Sequence, residues 1–249
     1  MKRFLWMAVL AGASALAGAA DVSRVDGDTL ALRGAIADGD VDKLRQLATP
    51  ATTVLRVNSD GGDAQAAMQL GRYLRQRQWD VAIDTVCAGS CALYVFPAAR
   101  HKLIPADAVL ALQASAFLRA QADQGQMRRS LVEAGVAAED LDAETAALAQ
   151  QLAHMAALEA AFAADMGIAP AFYRDFRQVA AQADAVRQRF PDQEAATFWW
   201  PAAARLQRCY GIAGVDEGSR AARMLPDGYL YVPALSALVM ADQALPGCP

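Results

Sequence analysis

"TTVLRVNSDGGDAQAAMQLGRYLRQRQWDVAIDTVCAGSC", residues 52–91, is the stretch whose reading decides the fold. Residues 52–59 are β-branched and mostly apolar, the pattern of a buried strand. "DGGD" breaks that strand, and Ala66, Leu70 and Leu74 then recur at helical spacing over 63–78. "DVAIDTV" (80–86) reads as a second strand, and it runs into "VCAGSCALYVF" (86–96). There Ser90 stands between Cys87 and Cys91 where an apolar, helix-compatible run begins. A serine in that setting is either a nucleophile in an electropositive pocket or a helix cap inside a disulfide knot.

On the N-terminal side, residues 21–36 combine Asp-Gly turn chemistry with the alternation Thr29-Leu30-Ala31-Leu32, which predicts a hairpin or edge strand. Residues 38–48 predict a short helix capped by Asp38 or Asp40. On the C-terminal side, helix is expected from Ser90 to Ala99, then a short strand at 101–104, a turn at Pro105 and a strand over 109–112. Strands alternating with helices in this order imply a parallel α/β arrangement with right-handed crossovers.

After residue 115 the character changes. Leu141, Leu148, Leu152, Met155, Phe162 and Met166 form one helix stripe, so 116–166 predicts a long helix, or two with a break near Gly135. This extension suits an oligomerisation handle or a lid, and a homo-oligomer is among the expectations. Pro170 and Pro201 each sit near a helix start, Gly211 reads as a helix stop, and 227–233 as a late strand. No internal repeat or low-complexity linker divides the chain, so 21–249 is read as a single domain.

Residues 1–20 carry two cations, an apolar run and a small-residue finish, the pattern of a cleaved secretory signal peptide. Its removal lowers Lys plus Arg from 23 to 21 against 27 Asp plus Glu, a net charge of about −6. A mildly acidic chain without a long basic run argues against nucleic acid and anionic membranes as partners. No later stretch is long and charge-free enough to span a bilayer, so no stable membrane insertion is expected after signal removal. All four cysteines lie beyond the signal, which fits an oxidising, periplasmic or secreted location. No Cys/His cluster has metal-ligand spacing, and no metal or cofactor is expected.

Two features carry candidate chemistry. Gly61 and Gly62 end one strand and open a helix, where paired glycines let backbone N–H groups approach an oxygen. Ser90 ends the next strand and opens a helix in turn, so the N–H of Cys91 can join that of Gly62 around one oxyanion. Ligands of open α/β sheets gather at the C-terminal ends of strands, where both features lie.

At these residues the chain resembles the Clp protease/crotonase superfamily, and most closely its exported ClpP-like proteins. The resemblance rests on "LRGAI" (32–36), "LRVNSDGGDAQAAMQLG" (55–71) and "CAGSCALYVFPAARHKLIPADAVLAL" (87–112), with a weaker match at "FWWPAAARLQRCYGIAG" (198–214). It implies a spiral of β-β-α units with a helical extension. It also implies a serine-peptidase-type site, with Ser90 at the nucleophile position and the N–H groups of Gly62 and Cys91 as the oxyanion hole.

The chain departs from that pattern at the base. The family places a histidine on the strand after the nucleophile helix, and "AVLALQAS" (108–115) puts Gln113 there. Glutamine can donate and accept hydrogen bonds, but it takes no proton near neutral pH. The stretch matching the family's acid is Ala195-Ala196-Thr197, and Asp60 replaces the usual proline before the glycines, adding a negative charge beside the expected oxyanion hole. His101, His154, Lys43 and Lys102 are the remaining candidates for a substitute base.

Four cysteines allow three pairings. We favour Cys87–Cys91, at a strand-to-helix corner, with Cys209–Cys248 as the second pair. Phe198, Trp199 and Trp200 read as a packing cluster, with a substrate-facing wall as the other use. Three functions follow: a non-catalytic relative that binds a peptide or protein partner, an active hydrolase using Ser90 with an unrecognised base, or an acyl-coenzyme A enzyme of the crotonase type. Export argues against the last, whose cofactor is cytosolic.

Overall fold

The computed structural model describes residues 19–180, 196–218, 228–241 and 247; the expected signal peptide lies almost wholly outside them. β1 (Asp21–Arg24) and β2 (Thr29–Arg33) form the expected hairpin. Its turn is closed by the Asp26 carboxylate, which accepts the N–H groups of Asp28 at 3.1 Å and Thr29 at 2.9 Å. β3 (Val54–Ser59) and β4 (Asp80–Ala88) follow in parallel, each a neighbour of the strand before it. β3 buries Leu55, Val57 and Ser59 but leaves Val54, Arg56 and Asn58 half-exposed, so only one face of this strand is fully covered. Burying each large aliphatic side chain there contributes roughly 1.5–3 kcal/mol.

Helices α1 (Asp40–Leu47) and α2 (Ala64–Arg77) supply the crossovers. The capping expected of Asp38 or Asp40 on α1 is corrected: Gly39 occupies the cap position without a side-chain bond. Asp40 instead accepts the N–H of Ala37 at 2.8 Å and pairs with Lys43, because its carboxylate faces back over the preceding turn. α2 is capped by Asp63, which accepts the Ala66 N–H at 2.7 Å, a contact worth about 1 kcal/mol. Midway along α2, a Cβ on Gly71 would lie 2.4 Å from the Tyr94 carbonyl oxygen. The helix therefore meets the segment after Ser90 backbone to backbone.

The edge of β4 decides the topology. β3 occupies one edge from Asp80 to Cys87. On the other, β5 (Lys102–Ile104) pairs with Val81 and Ala82, and β6 (Val109–Ala111) pairs with Val86 through Ala88. Two strands thus share one edge in succession, and the chain begins to spiral. β8 (Val215–Glu217) extends the sheet beyond β5, giving the order β1-β2-β3-β4-β5-β8. A bridge between Leu112 and Trp199 then joins β6 to a second sheet of β7 (Ala196–Trp199), β10 (Ala237–Met240) and β9 (Tyr229–Val232). The α/β class expected from the sequence is the one observed. One buried cluster runs from Ala20 to Met240 and includes residues of both sheets.

Residues 116–166 hold three helices rather than one or two: α3 (Ala116–Arg119), α4 (Gln124–Glu133) and α5 (Leu141–Met166). Asp123 opens α4 with a capping box, which makes the extra boundary. Gly135, with a φ of +83°, lies between α4 and α5. The α5 stripe is uneven, with Phe162 and Met166 buried but Leu148 and Leu152 only half-buried. Two further helices, α6 (Ala171–Arg174) and α7 (Ala203–Tyr210), follow Pro170 and Pro201 as expected, and Gly211 ends α7 in the left-handed conformation. Among the described residues, no helix is long and apolar enough to cross a membrane.

Candidate functional site

The loop after β3 is stitched down by Ile36. Its N–H donates to the Gly61 carbonyl at 2.7 Å, and its own carbonyl accepts the Asp63 N–H at 2.8 Å. Gly62 lies between these bonds with a φ of +136°, and a Cβ there would sit 2.2 Å from the Ile36 oxygen. No other residue fits. Gly61 turns its N–H to the Ser59 hydroxyl at 3.2 Å, so of the two glycines only Gly62 keeps its N–H without an acceptor among the described residues. The carboxylate-bearing Asp60 beside them is exposed.

β4 runs two residues beyond its sequence-read end, which puts Cys87 on the strand. The expected helix from Ser90 to Ala99 is a π-helical turn, Cys91–Val95, followed by irregular turns. Ser90 precedes it, 5% exposed, and its Oγ donates to the Gly62 carbonyl oxygen at 3.2 Å. A Cβ on Gly61 would lie 3.1 Å from the Ser90 nitrogen, so the two strand ends touch. The Cys91 N–H has no acceptor among the described residues, so two free backbone donors end near one hydroxyl. The expected Cys87–Cys91 disulfide is present, with Cα atoms 5.4 Å apart and both residues fully buried. Cys209 is disulfide-bonded too, and its expected partner Cys248 lies outside the described residues.

β6 places Gln113. The pairing sets Val86 beside Val109, Cys87 beside Leu110 and Ala88 beside Ala111, and the Gly89 N–H donates to the Ala111 carbonyl at 3.0 Å. The pairing ends there, with Gly89 turning at a φ of +54° into Ser90 on one side and the chain running on to Gln113 on the other. The Gln113 side chain lies over Gly89, with Nε2 3.0 Å from the point a Cβ there would occupy. Gln113 makes no side-chain hydrogen bond among the described residues.

The substitute bases are all elsewhere. His101 precedes β5, its N–H held by Asp80, and Lys102 pairs beside Val81 at the start of β4. Roughly 25 Å of extended strand separates that end from the Ser90 end. Lys102 was a candidate through its nearness in sequence, which the full length of β4 undoes. Its Nζ donates instead to the carbonyls of Ala99 and Ala213, each at 2.8 Å. Lys43 is bonded to Asp40 and the Ala20 carbonyl on α1, and His154 is exposed on α5. Where the resemblance would put the acid, Ala195 is outside the described residues, while Thr197 has a buried Oγ1 without a partner among the described residues. Trp199 and Trp200 are 0% and 1% exposed, which makes them packing residues and not a ligand wall.

Sequence reading missed a buried acid beside this corner. Glu159 of α5 accepts the Tyr94 hydroxyl at 2.7 Å and the Phe117 N–H at 2.8 Å. Burial pushes its carboxyl up from the usual range, against the opposing pull of those hydrogen bonds and the Arg119 charge. Its signal was one acid near the apolar stripe, which periodicity alone assigns to the solvated side. Among the described residues, no group of His, Cys, Asp and Glu is arranged to hold a metal ion.

No protein-family model matches the chain, and no curated protein matches it. Solved structures do. An enoyl-CoA hydratase from Mycobacterium avium subsp. paratuberculosis is 17% identical, with 60% of this chain covering 82% of that one at a TM-score of 0.29. A protein of Mycobacterium abscessus, assigned as an enoyl-CoA hydratase/isomerase, is 11% identical, with 67% covering 89% at 0.32. A third, assigned as an enoyl-CoA hydratase from Rhodopseudomonas palustris, is 15% identical at 0.29, and 37% of this chain spans 48% of its length.

Proposed function

We propose that the chain is an exported, ClpP-like protein whose Ser90 corner binds a peptide or protein ligand without cleaving it. One observation carries the reading: the Ser90 hydroxyl donates a hydrogen bond to the Gly62 carbonyl, and the side chain that lies over the adjacent Gly89 is an amide. A backbone carbonyl and a glutamine are both too weakly basic to take that proton, so the oxygen stays a poor nucleophile. The free N–H groups of Gly62 and Cys91 remain able to hold a ligand carbonyl. An N-terminal stretch with signal-peptide character and the disulfide at this corner support a periplasmic or secreted setting.

The test is labelling of the protein with a fluorophosphonate probe, read by mass spectrometry. The expected result is no modification of Ser90 above the background of Ser90→Ala. Stoichiometric labelling that disappears in Ser90→Ala would make the chain an active serine hydrolase and remove the non-catalytic reading.

A further inference from the structure

Beside Gln113 lies a cavity of about 330 Å³, lined by Gln113, Ala114, Arg119, Phe176, Ala180 and Thr197. Its polar lining consists of hydrogen-bond donors without an acceptor among the described residues. The Thr197 Oγ1 is buried without a partner among the described residues. The Gln113 amide and the Arg119 guanidinium make no side-chain hydrogen bond or ion pair among the described residues. Buried polar atoms are almost always paired, so the Thr197 hydroxyl, beside two solvent-accessible donors, marks a place for an acceptor. Among the described lining residues Arg119 alone is ionisable, and its planar fork matches a carboxylate. Glu159 feels the Arg119 charge, but its own oxygens are taken by Tyr94 and Phe117.

We propose that this cavity is the carboxylate subsite of the ligand bound at the Ser90 corner. Arg119 supplies the charge and one or two N–H donors, Gln113 donates its amide hydrogen, and the Thr197 hydroxyl donates from the cavity wall. Ala114, Phe176 and Ala180 cover the aliphatic part of the same residue. Gln113 belongs to both places, since its amide lies over Gly89, next to Ser90, and also lines the cavity. The residue type that removes a base from the corner is therefore the one that gives the cavity a neutral donor. This inference rests on the reading of the corner as a peptide-binding site, and the carboxylate comes from either a peptide C-terminus or an acidic side chain.

The experiment titrates the protein with three N-acetylated alanine pentapeptides and follows backbone and side-chain amide signals by NMR. One has a free C-terminal carboxylate, one is C-terminally amidated, and one is amidated with an internal glutamate. The expected result is that one or both carboxylate peptides shift the Gln113 side-chain amide and the Gly62 backbone amide together. Arg119→Ala, at an exposed position, should weaken that peptide by about tenfold or more, and Thr197→Val by a few-fold. The free-terminus and internal-glutamate arms distinguish the two sources of the group. If all three peptides shift Gly62 equally and Arg119→Ala changes nothing, the carboxylate subsite is overturned while the corner reading stands. If no peptide shifts Gly62, the corner reading falls, and the subsite with it.

Discussion

The Gln113 side chain lies over Gly89, the residue before Ser90, its amide nitrogen 3.0 Å from where a Cβ on Gly89 would be. This puts a neutral amide over the residue that precedes a hydroxyl already donating to Gly62. An imidazole at 113 would meet the same corner from the same backbone position. Gln113→His is therefore expected to raise Ser90 labelling by a fluorophosphonate by about tenfold or more, at pH values above the imidazole pKa. Unchanged labelling in a folded variant would show that the missing base is not what keeps Ser90 quiet.

Gly62 is the least replaceable residue of the corner. A Cβ would collide with the backbone of Ile36, which has no flexible end to move aside, and φ is positive as well. Gly62→Ala should lower stability by about 3 kcal/mol or more in urea unfolding. Gly27→Ala is the control, since a Cβ there meets nothing within 4 Å, and it should stay within about 0.5 kcal/mol.

Cys87 and Cys91 are both fully buried, so a reductant reaches their bond only when the corner opens. Treatment of the native protein with dithiothreitol, followed by alkylation, should leave the 87–91 pair unmodified, and the same treatment in denaturant should modify it. The bond closes a loop of only a few residues, so its chain-entropy contribution is about 2 kcal/mol. The Cys87→Ala, Cys91→Ala double variant should lose at least that much, and a smaller loss in urea would discount the bond as a structural strap.

Burial pushes the Lys102 ammonium down to about 8, with the Arg75 charge adding to the effect. The unfolded lysine holds its proton to about 10.4, so between the two values the unfolded state binds more protons. This group therefore makes stability rise as pH climbs through 8 to 9.5. Burial holds the Tyr94, Tyr173 and Tyr210 hydroxyls above their usual range, and they act in the opposite direction once the unfolded tyrosines ionise near 10. Urea midpoints at pH 7.5, 8.5 and 9.5 should increase in the parent and flatten in Lys102→Met. A slope that Lys102→Met leaves intact would assign it to other groups.

Much of the first sheet could be read from residue order. The alternation in β2, the glycine pair after β3 and the apolar run of β4 each follow from periods and breakers that need no partner to interpret. The α2 cap and the Cys87–Cys91 pairing are also local, since their partners lie three or four residues apart. By contrast, the α1 cap and the helix after Ser90 were misread. In the first, a carboxylate found a better N–H in the preceding turn; in the second, the turn adopted a π-helical form that composition does not distinguish from an α-helix.

The sequence by itself determined the parallel α/β order and the disulfide corner, because each depends on short-range pattern or on a residue's own chemistry. Tertiary structure alone decided that Lys102 and His101 stand at the far end of β4 and that Gly61 spends its N–H on Ser59. It alone gathered Arg119 and Thr197 around one cavity with Gln113. Those outcomes depend on strand length, on which edge a later strand joins, and on contacts between residues tens of positions apart. Periodicity carries no record of any of them.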